Sequence, residues 1–364
     1  MPEVELRVAR FGDYQSMAAL EAAQGLTSKS FEDWSRLWRG NPCYEELGPD
    51  FPIGWVLERG DRIVGCIGSV PAYAMFRGRK LLVATGRGWA VEDEFRSYAL
   101  LLMDEYFSQP DVDIFLNNTV NGKALDAFST FGSLRVPAGD WSNAAFAITR
   151  HRGFAESALR IKEVPFPSLL SYPAGLALSL RDLLTSKSFP KTNLNVVLAH
   201  DFDERFDRFW QTLHPSNETL LYFRTREVLR WHFKLALGTD DLIVLTAETN
   251  GKIDAYAIFQ CRDEPKYGLK RLRMVDFQAC GQYDQYCAAF LQHASQECRA
   301  RGIHVLEHVG CDLPKTRVFD QTATYRRKLP GWCYFYLTRD EELAEQLAKP
   351  EAWAPSSFDG DASL

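Results

Sequence analysis

Along the 364-residue chain, apolar positions switch between a period of two and a period near 3.6, and the order of the switches predicts two successive α/β units. Strand patterns fall at 4–9, 54–58, 63–67, 79–91, 112–116 and 144–148. Helical spacing begins after Asp13, which is expected to cap it, and runs through Met17, Leu20 and Ala23. A Trp-rich helix follows from Phe31 through Trp34 to Trp38, and Asn41-Pro42 is expected to stop it. Further helices are predicted over 94–107 and 122–130, with Gly132 as a C-cap. The second half repeats this order, with helices at 206–213, 226–235 and 283–300 and strands at 242–248, 253–260, 269–279, 303–309 and 333–338. Between two of those strands, Asn250-Gly251 suits the positive φ angles of a type I′ turn. The halves match in order and pattern, not in residue identity.

Pro165 to Pro190 joins them, and its leucines predict an apolar helix. Its own polar face is not rich in Lys or Arg, so packing between domains is expected in preference to a peripheral membrane role. The segment after Pro350, with Pro355, Ser356, Ser357 and Gly360, reads as a disordered tail. The expected organisation is therefore a first domain over 1–150, a connector over 151–194, a second domain over 195–340, and a helical turn with disordered tail over 341–364. The fold class is α/β, each domain a mixed, mostly antiparallel sheet with flanking helices.

Composition narrows the function. A formal net charge of −6 gives no broad electrostatic footprint for nucleic acid, and Arg326-Arg327-Lys328 reads as a solvated strand edge. No run approaches the roughly 20 apolar residues of a membrane span, and Met1–Val8 does not read as a signal peptide. Eight cysteines form no CxxC pair, so neither a metal site nor a redox motif is expected, and a reducing, cytoplasmic setting follows.

Two segments carry a family likeness. Val91-Glu92-Asp93-Glu94-Phe95-Arg96-Ser97-Tyr98-Ala99-Leu100-Leu101 resembles the acyl-CoA motif V-x-P-x-Y-R-x-x-G-x-G/A of the GNAT superfamily of N-acyltransferases. Asn121 through Gly132 is similar to that superfamily's N-x-x-A-x-x-x-Y-x-x-x-G segment. The chain departs from the pattern at Asp93, where proline is usual, at Ala99 and Leu101, where glycines let backbone approach phosphates, and at Phe128, which replaces a proton-donating tyrosine. The resemblance implies two tandem GNAT-like domains, acetyl-CoA or a longer acyl-CoA as donor, and an amine acceptor such as an amino sugar. It also implies cofactor contacts from Val91, Arg96, Ser97, Tyr98, Ala99, Leu100 and Asn121, because a helix N-terminus offers free N–H groups to a pyrophosphate. A non-catalytic scaffold with the same fold is one alternative. A Fem-type aminoacyl transferase is another, opposed by the acidic pI and the lack of a basic coiled-coil arm.

Amide formation also needs a base. Asp276 lies among Met274, Val275 and Phe277, where burial would raise its pKa, although an alternating strand would turn it to solvent. His304 and His308 share one strand face; His308 is the second candidate base, against the alternative of ordinary half-buried histidines. Gly86-Arg87-Gly88 sits inside a strand pattern with no helix after it, so it predicts a bulge rather than a phosphate loop. The Trp34/Trp38 and Trp231/Phe233 pairs are expected to cover the core.

Overall fold

Two twisted sheets frame the structure, a computed structural model that describes residues 3–122, 124–185, 192, 194–215 and 218–364. In the first half the strands are β1 (Val4–Val8), β2 (Gly54–Arg59), β3 (Arg62–Phe76), β4 (Arg79–Val91), β5 (Ile114–Val120), β6 (Leu134–Arg135) and β7 (Asp140–Ile148). The second half adds β8 (Val196–Ala199), β9 (Leu221–Tyr222), β10 (Leu242–Thr249), β11 (Lys252–Cys261), β12 (Arg271–Ala279), β13 (Val305–Cys311), β14 (Tyr325–Lys328) and β15 (Cys333–Leu337). One sheet runs β1-β2-β3-β4-β5-β15-β6 with β9 on β3; the other runs β14-β7-β13-β12-β11-β10-β8. Each has one parallel pair, β4 with β5 and β12 with β13, and is otherwise antiparallel.

The halves exchange strands. Strand β7 leaves the first half and inserts between β13 and β14, while β15 from the second half pairs with β5 at four positions, among them Phe335–Asn117 and Tyr336–Leu116. A shared core follows, in which Phe76, Leu81 and Ile114 pack with Phe202, Trp210 and Tyr256. At the predicted hairpin, Asn250 and Gly251 have φ of 51° and 73°, as a type I′ turn requires.

Helices α1 (Tyr14–Ala23) and α2 (Phe31–Ser35) lie where periodicity placed them, with Trp34 and Trp38 buried against Met17 and Leu20. Asn41-Pro42 does more than stop a helix. The Asn41 carboxamide accepts the Cys43 N–H at 3.0 Å and Pro42 takes the first helical position, so the pair starts α3 (Pro42–Leu47). The helix expected from residue 94 becomes regular only as α4 (Ala99–Phe107); Asp93–Tyr98 is a tighter 3₁₀ turn. Then come α5 (Leu125–Thr130), α6 (His151–Ile161), α7 (Pro167–Thr185), α8 (Glu204–Leu213), α9 (Arg226–His232), α10 (Tyr283–Arg301), α11 (Arg317–Thr322) and α12 (Glu341–Leu347).

Two expectations are corrected. The leucine-rich connector forms α6 and α7, which pack on each other; Gly175 of α7 lies so near α6 that a Cβ there would stand 2.8 Å from the Arg152 Cα. The opposite face of α7 is exposed rather than buried between domains. Residues 186–191 and 193 of that connector lie outside the described residues. The segment after Pro350 is ordered and largely buried, because Trp353 and Phe358 join the shared core and its polar groups find buried partners.

Candidate functional site

The site begins where β4 and β5 part. They pair only at Val83–Ile114 and Ala84–Phe115, then diverge. Across the opening the Asn117 carboxamide donates to the Gly86 carbonyl at 2.7 Å and accepts from the Tyr106 hydroxyl at 3.1 Å, replacing ladder bonds the strands no longer share. Next to it β4 bulges, as the glycines predicted. The β3–β4 register shifts between Cys66 and Gly68, Gly88 has φ +66°, and a Cβ at Gly88 would meet the Glu21 Oε1 at 2.1 Å.

The divergence opens a cavity of about 340 Å³, walled by Gly86, Arg87 and Trp89 on one side and Asn117, Thr119 and Asn121 on the other. Arg87 Nη1 and Trp89 Nε1 are buried here without a hydrogen-bond partner among the described residues. Buried donors left unpaired cost about 1–3 kcal/mol each, so the pair marks a place built for acceptors. Burial raises the Glu21 carboxyl on the α1 side, opposed by Arg87 and Lys29.

A second cavity of about 230 Å³ adjoins it between the halves. Tyr73, Phe223 and Trp231 supply its aromatic walls, and Glu46 and Glu227 its carboxylates. His232 lines it too; burial first, then Arg36 and Arg262, hold its pKa well below the usual value, so the ring is neutral and meets the Ser363 hydroxyl at 2.9 Å. Burial pushes the Cys43 thiol up to about 12, which removes it as a nucleophile near neutral pH.

The tail runs between the cavities. Gly360 lines the second, Asp361 the first, and Leu364 both. Asn118 fixes its path by donating to the Asp359 carbonyl at 2.5 Å and accepting the Ala362 N–H at 2.8 Å. Gly360 has φ +106°, and a Cβ there would lie 2.9 Å from Asn118. Asp361 accepts the Asn118 N–H at 2.8 Å and the Thr119 hydroxyl. Burial raises the Asp361 pKa, and those bonds oppose the rise without cancelling it.

The equivalent opening in the second half, between β12 and β13, is plugged. Only about 10 Å³ remains, lined by Asp276, His308, Lys315 and Ser356. Asp276 is buried, not solvent-facing. It holds Arg224 at 2.8 and 3.0 Å and accepts from the Tyr256 hydroxyl at 2.7 Å, the Gln278 amide at 3.0 Å and the Ser356 hydroxyl at 3.0 Å. Burial alone would raise its pKa; the Arg224 charge and these donors outweigh burial and lower it, the reverse of what a poised base needs. Burial also lowers His308 to about 4, and its Nδ1 pairs with the Gly310 carbonyl at 3.0 Å.

Of the other sequence-predicted residues, Asn121 lines the first cavity and Val91 is buried at the end of β4. Arg96, Ser97, Tyr98 and Leu100 are exposed on the 3₁₀ turn and the start of α4, with Ala99 half-buried between them. Arg96 is paired with Asp93 at 2.7 Å. The β4/β5 cavity presents two donors, Arg87 Nη1 and Trp89 Nε1, for acceptor oxygens. The pyrophosphate cradle is less complete, because the turn carries Asp93 and Glu94 where N–H groups should meet phosphate. Sequence reasoning missed Trp89, Asn117, Arg224 and Asp361. A lone arginine after Tyr222-Phe223 was the one visible signal, since a cation in an apolar run demands a buried partner. Among the described residues, no cluster of His, Cys, Asp or Glu could hold a metal ion.

No family model matches the chain, and no curated protein matches it. Solved structures do. The chain is similar to a GCN5-related N-acetyltransferase from Kribbella flavida at 11% identity and TM-score 0.59, covering 93% of this chain and 72% of that one. A GCN5-related N-acetyltransferase from Anabaena variabilis matches at 12% and 0.57, covering 92% and 72%. Saccharomyces cerevisiae N-myristoyltransferase with bound myristoyl-CoA and inhibitors matches at 13% and 0.54, covering 93% and 80%. The chain has the GNAT fold, with two mixed sheets as two GNAT-like domains require.

Proposed function

We propose that the protein is an acyl-CoA-dependent N-acyltransferase acting on an amine-bearing small molecule, of which an amino sugar is one kind. The observation that supports this most directly is the pair of cavities meeting at the tail, one between diverging β4 and β5, the other aromatic and acidic. Acyl-CoA, acetyl or longer, supplies an activated thioester. Arg87 Nη1 and Trp89 Nε1 bind acceptor oxygens along the donor's arm, and Asn117 keeps the strands apart. Glu46, Glu227 and the aromatic walls draw in a cationic amine. Asp361, on the tail between the cavities, takes the amine's proton; its raised pKa suits a general base. Asp276 and His308 stay in the plugged second-half opening and serve the fold. Phe128 gives α5 no group to protonate a leaving thiolate, so that proton comes from elsewhere in the site.

One observation favours a second reading, a binding protein without catalysis: the acidic 3₁₀ turn where a pyrophosphate cradle would stand. Thermal melting with acetyl-CoA and longer acyl-CoAs separates the two. A ligand at 100 times its Kd stabilises by about 2.7 kcal/mol, and Arg87→Met or Trp89→Phe should shrink the shift. No shift with any acyl-CoA at millimolar concentration would leave the binding-protein reading.

A further inference from the structure

The α6–α7 hairpin bears an apolar surface that the proposed chemistry does not use. Leu169, Leu170, Leu176, Leu180, Leu183 and Leu184 form one stripe along α7, and Leu183 and Leu184 are 78% and 88% exposed. The stripe amounts to on the order of 700 Å², beyond the roughly 300–600 Å² usual for the largest apolar patch on a soluble monomer. At the tip of the hairpin Phe166 is 77% exposed with φ +55°, a bulky residue held in the left-handed region with its ring in solvent. Its carbonyl accepts the Leu169 and Leu170 N–H groups, so this backbone shape opens the helix and sets the ring at the end of the stripe.

Charge decides the partner. The chain as a whole carries −6, yet residues 150–185 hold five Arg or Lys against three Asp or Glu. The Glu156–Arg160 pair cancels and Asp182 is held by His151 and Tyr325, which leaves Arg150, Arg152, Lys162 and Arg181 against the exposed Glu163. The cations fringe the stripe. Arg152 lies over the Tyr172 ring at 3.7 Å and Arg181 over the Tyr325 ring at 4.8 Å, while Lys162 is exposed near the tip. Strand β14 is tied to α7 through Tyr325 and Asp182, while its next residue, Arg326, turns to the other face of the sheet and pairs with Asp320 at 3.5 Å. The helix's own polar residues could not reveal this fringe, because most of it comes from neighbouring elements.

We propose that this face docks on an anionic lipid bilayer, with α7 lying in the interface plane, its leucines and Phe166 in the acyl boundary and the cations at the headgroups. No helix among the described residues is long and apolar enough to cross a membrane, and this mode needs none. A second copy packed on the same stripe would set the cationic fringe against itself, whereas anionic headgroups complement it. The docking does not depend on acyl transfer.

The test is flotation of the full chain with vesicles of phosphatidylcholine alone and of equimolar phosphatidylcholine and phosphatidylglycerol. The protein should float with the anionic vesicles at low salt, far less at high salt, and hardly at all with the neutral ones. Leu176→Ser/Leu180→Ser/Leu183→Ser should weaken binding by about a hundredfold or more, each leucine losing its burial. Arg152→Gln and Arg181→Gln should cost about fivefold each. These side chains are exposed, so melting temperatures should match the wild type and show that the variants fold. No flotation, equal flotation on both vesicles, or flotation untouched by the leucine variant overturns the proposal. So does a wild-type dimer that the leucine variant converts to monomer with no lipid binding in either form.

Discussion

Replacing Asp276 by asparagine tests whether the carboxylate is a strut or a base. Its partner Arg224 is 1% exposed and has one other carboxylate within reach, Asp359 at 2.8 Å. Breaking a buried pair by removing one partner costs about 3–5 kcal/mol; with Asp359 still in place the lower end, about 3 kcal/mol, is expected. At roughly 2.1 cal/mol/K of unfolding entropy per residue, a chain of this length melting as one unit should lose about 4 °C in Tm. Ser356→Ala, which removes a neutral hydroxyl from the same network, should cost only about 1 kcal/mol. Calorimetry at neutral pH, with near-ultraviolet circular dichroism to follow core packing, reads both. An Asp276→Asn protein that melts like the wild type would refute the strut. If that protein also lost acyl transfer, Asp276 would be the base and the tail would have to move aside during turnover.

Asp361→Asn should lower kcat by about 10²–10⁴-fold with little change in Tm, and the acidic limb of the pH–rate profile, set above the usual aspartate range by burial, should vanish; unchanged kcat excludes Asp361 as the base. Gly88→Ala should cost about 1–3 kcal/mol by urea unfolding, and a second change, Glu21→Ala, should recover the steric part while leaving the cost of positive φ. Acid unfolding should come in two stages when stability is measured by denaturant at stepped pH. His308, lowered by burial from 6.5 to about 4, is charged only in the unfolded chain between those values, so stability is full above pH 6.5 and falls toward pH 4. Glu307, which burial would raise but which Arg273 and Arg327 hold at about 2, loses its contribution of about 3 kcal/mol as pH falls from 4.5 to 2, and His308→Gln should flatten only the upper stage. Fragments 1–150 and 195–364 should each fail to fold alone and should recover a cooperative melt when co-expressed, since each holds a strand of the other's sheet.

The elements were legible because each buries one face, and a periodic apolar face is visible in sequence whatever it packs against. The β4 bulge and the Asn250-Gly251 turn were legible for a stricter reason: positive φ favours glycine or asparagine there. The 3₁₀ turn at Asp93–Tyr98 was hidden, because Phe95 is its one buried residue and a single apolar position sets no period. The tail misled through composition. Serine, proline, glycine and aspartate describe a solvated segment unless a buried cation awaits, and Arg224 lies more than 130 positions away from Asp359. Trp353 and Phe358 carried the contrary signal, since large apolar rings in a free tail would have no reason to be there.

Strand exchange explains why the open site is in the first half and the plug in the second. An alternating segment such as Ala144–Ile148 fixes which face is buried, not which sheet it joins, so its sequence suits either partner. In the structure β15 crosses to close the first sheet beside β5, and the chain therefore leaves that sheet next to the wall of the β4/β5 cavity. From there α12 and the tail must recross the shared core. Ser356 and Asp359 first meet Arg224 and Asp276 and fill the β12/β13 opening; Asp361 then reaches Asn118 and Thr119 at the other opening. One short segment thus closes one divergence of strands and furnishes a raised carboxylate to the other. The pseudo-symmetry of the two sheets supplies two openings, and the path of the tail makes them unequal.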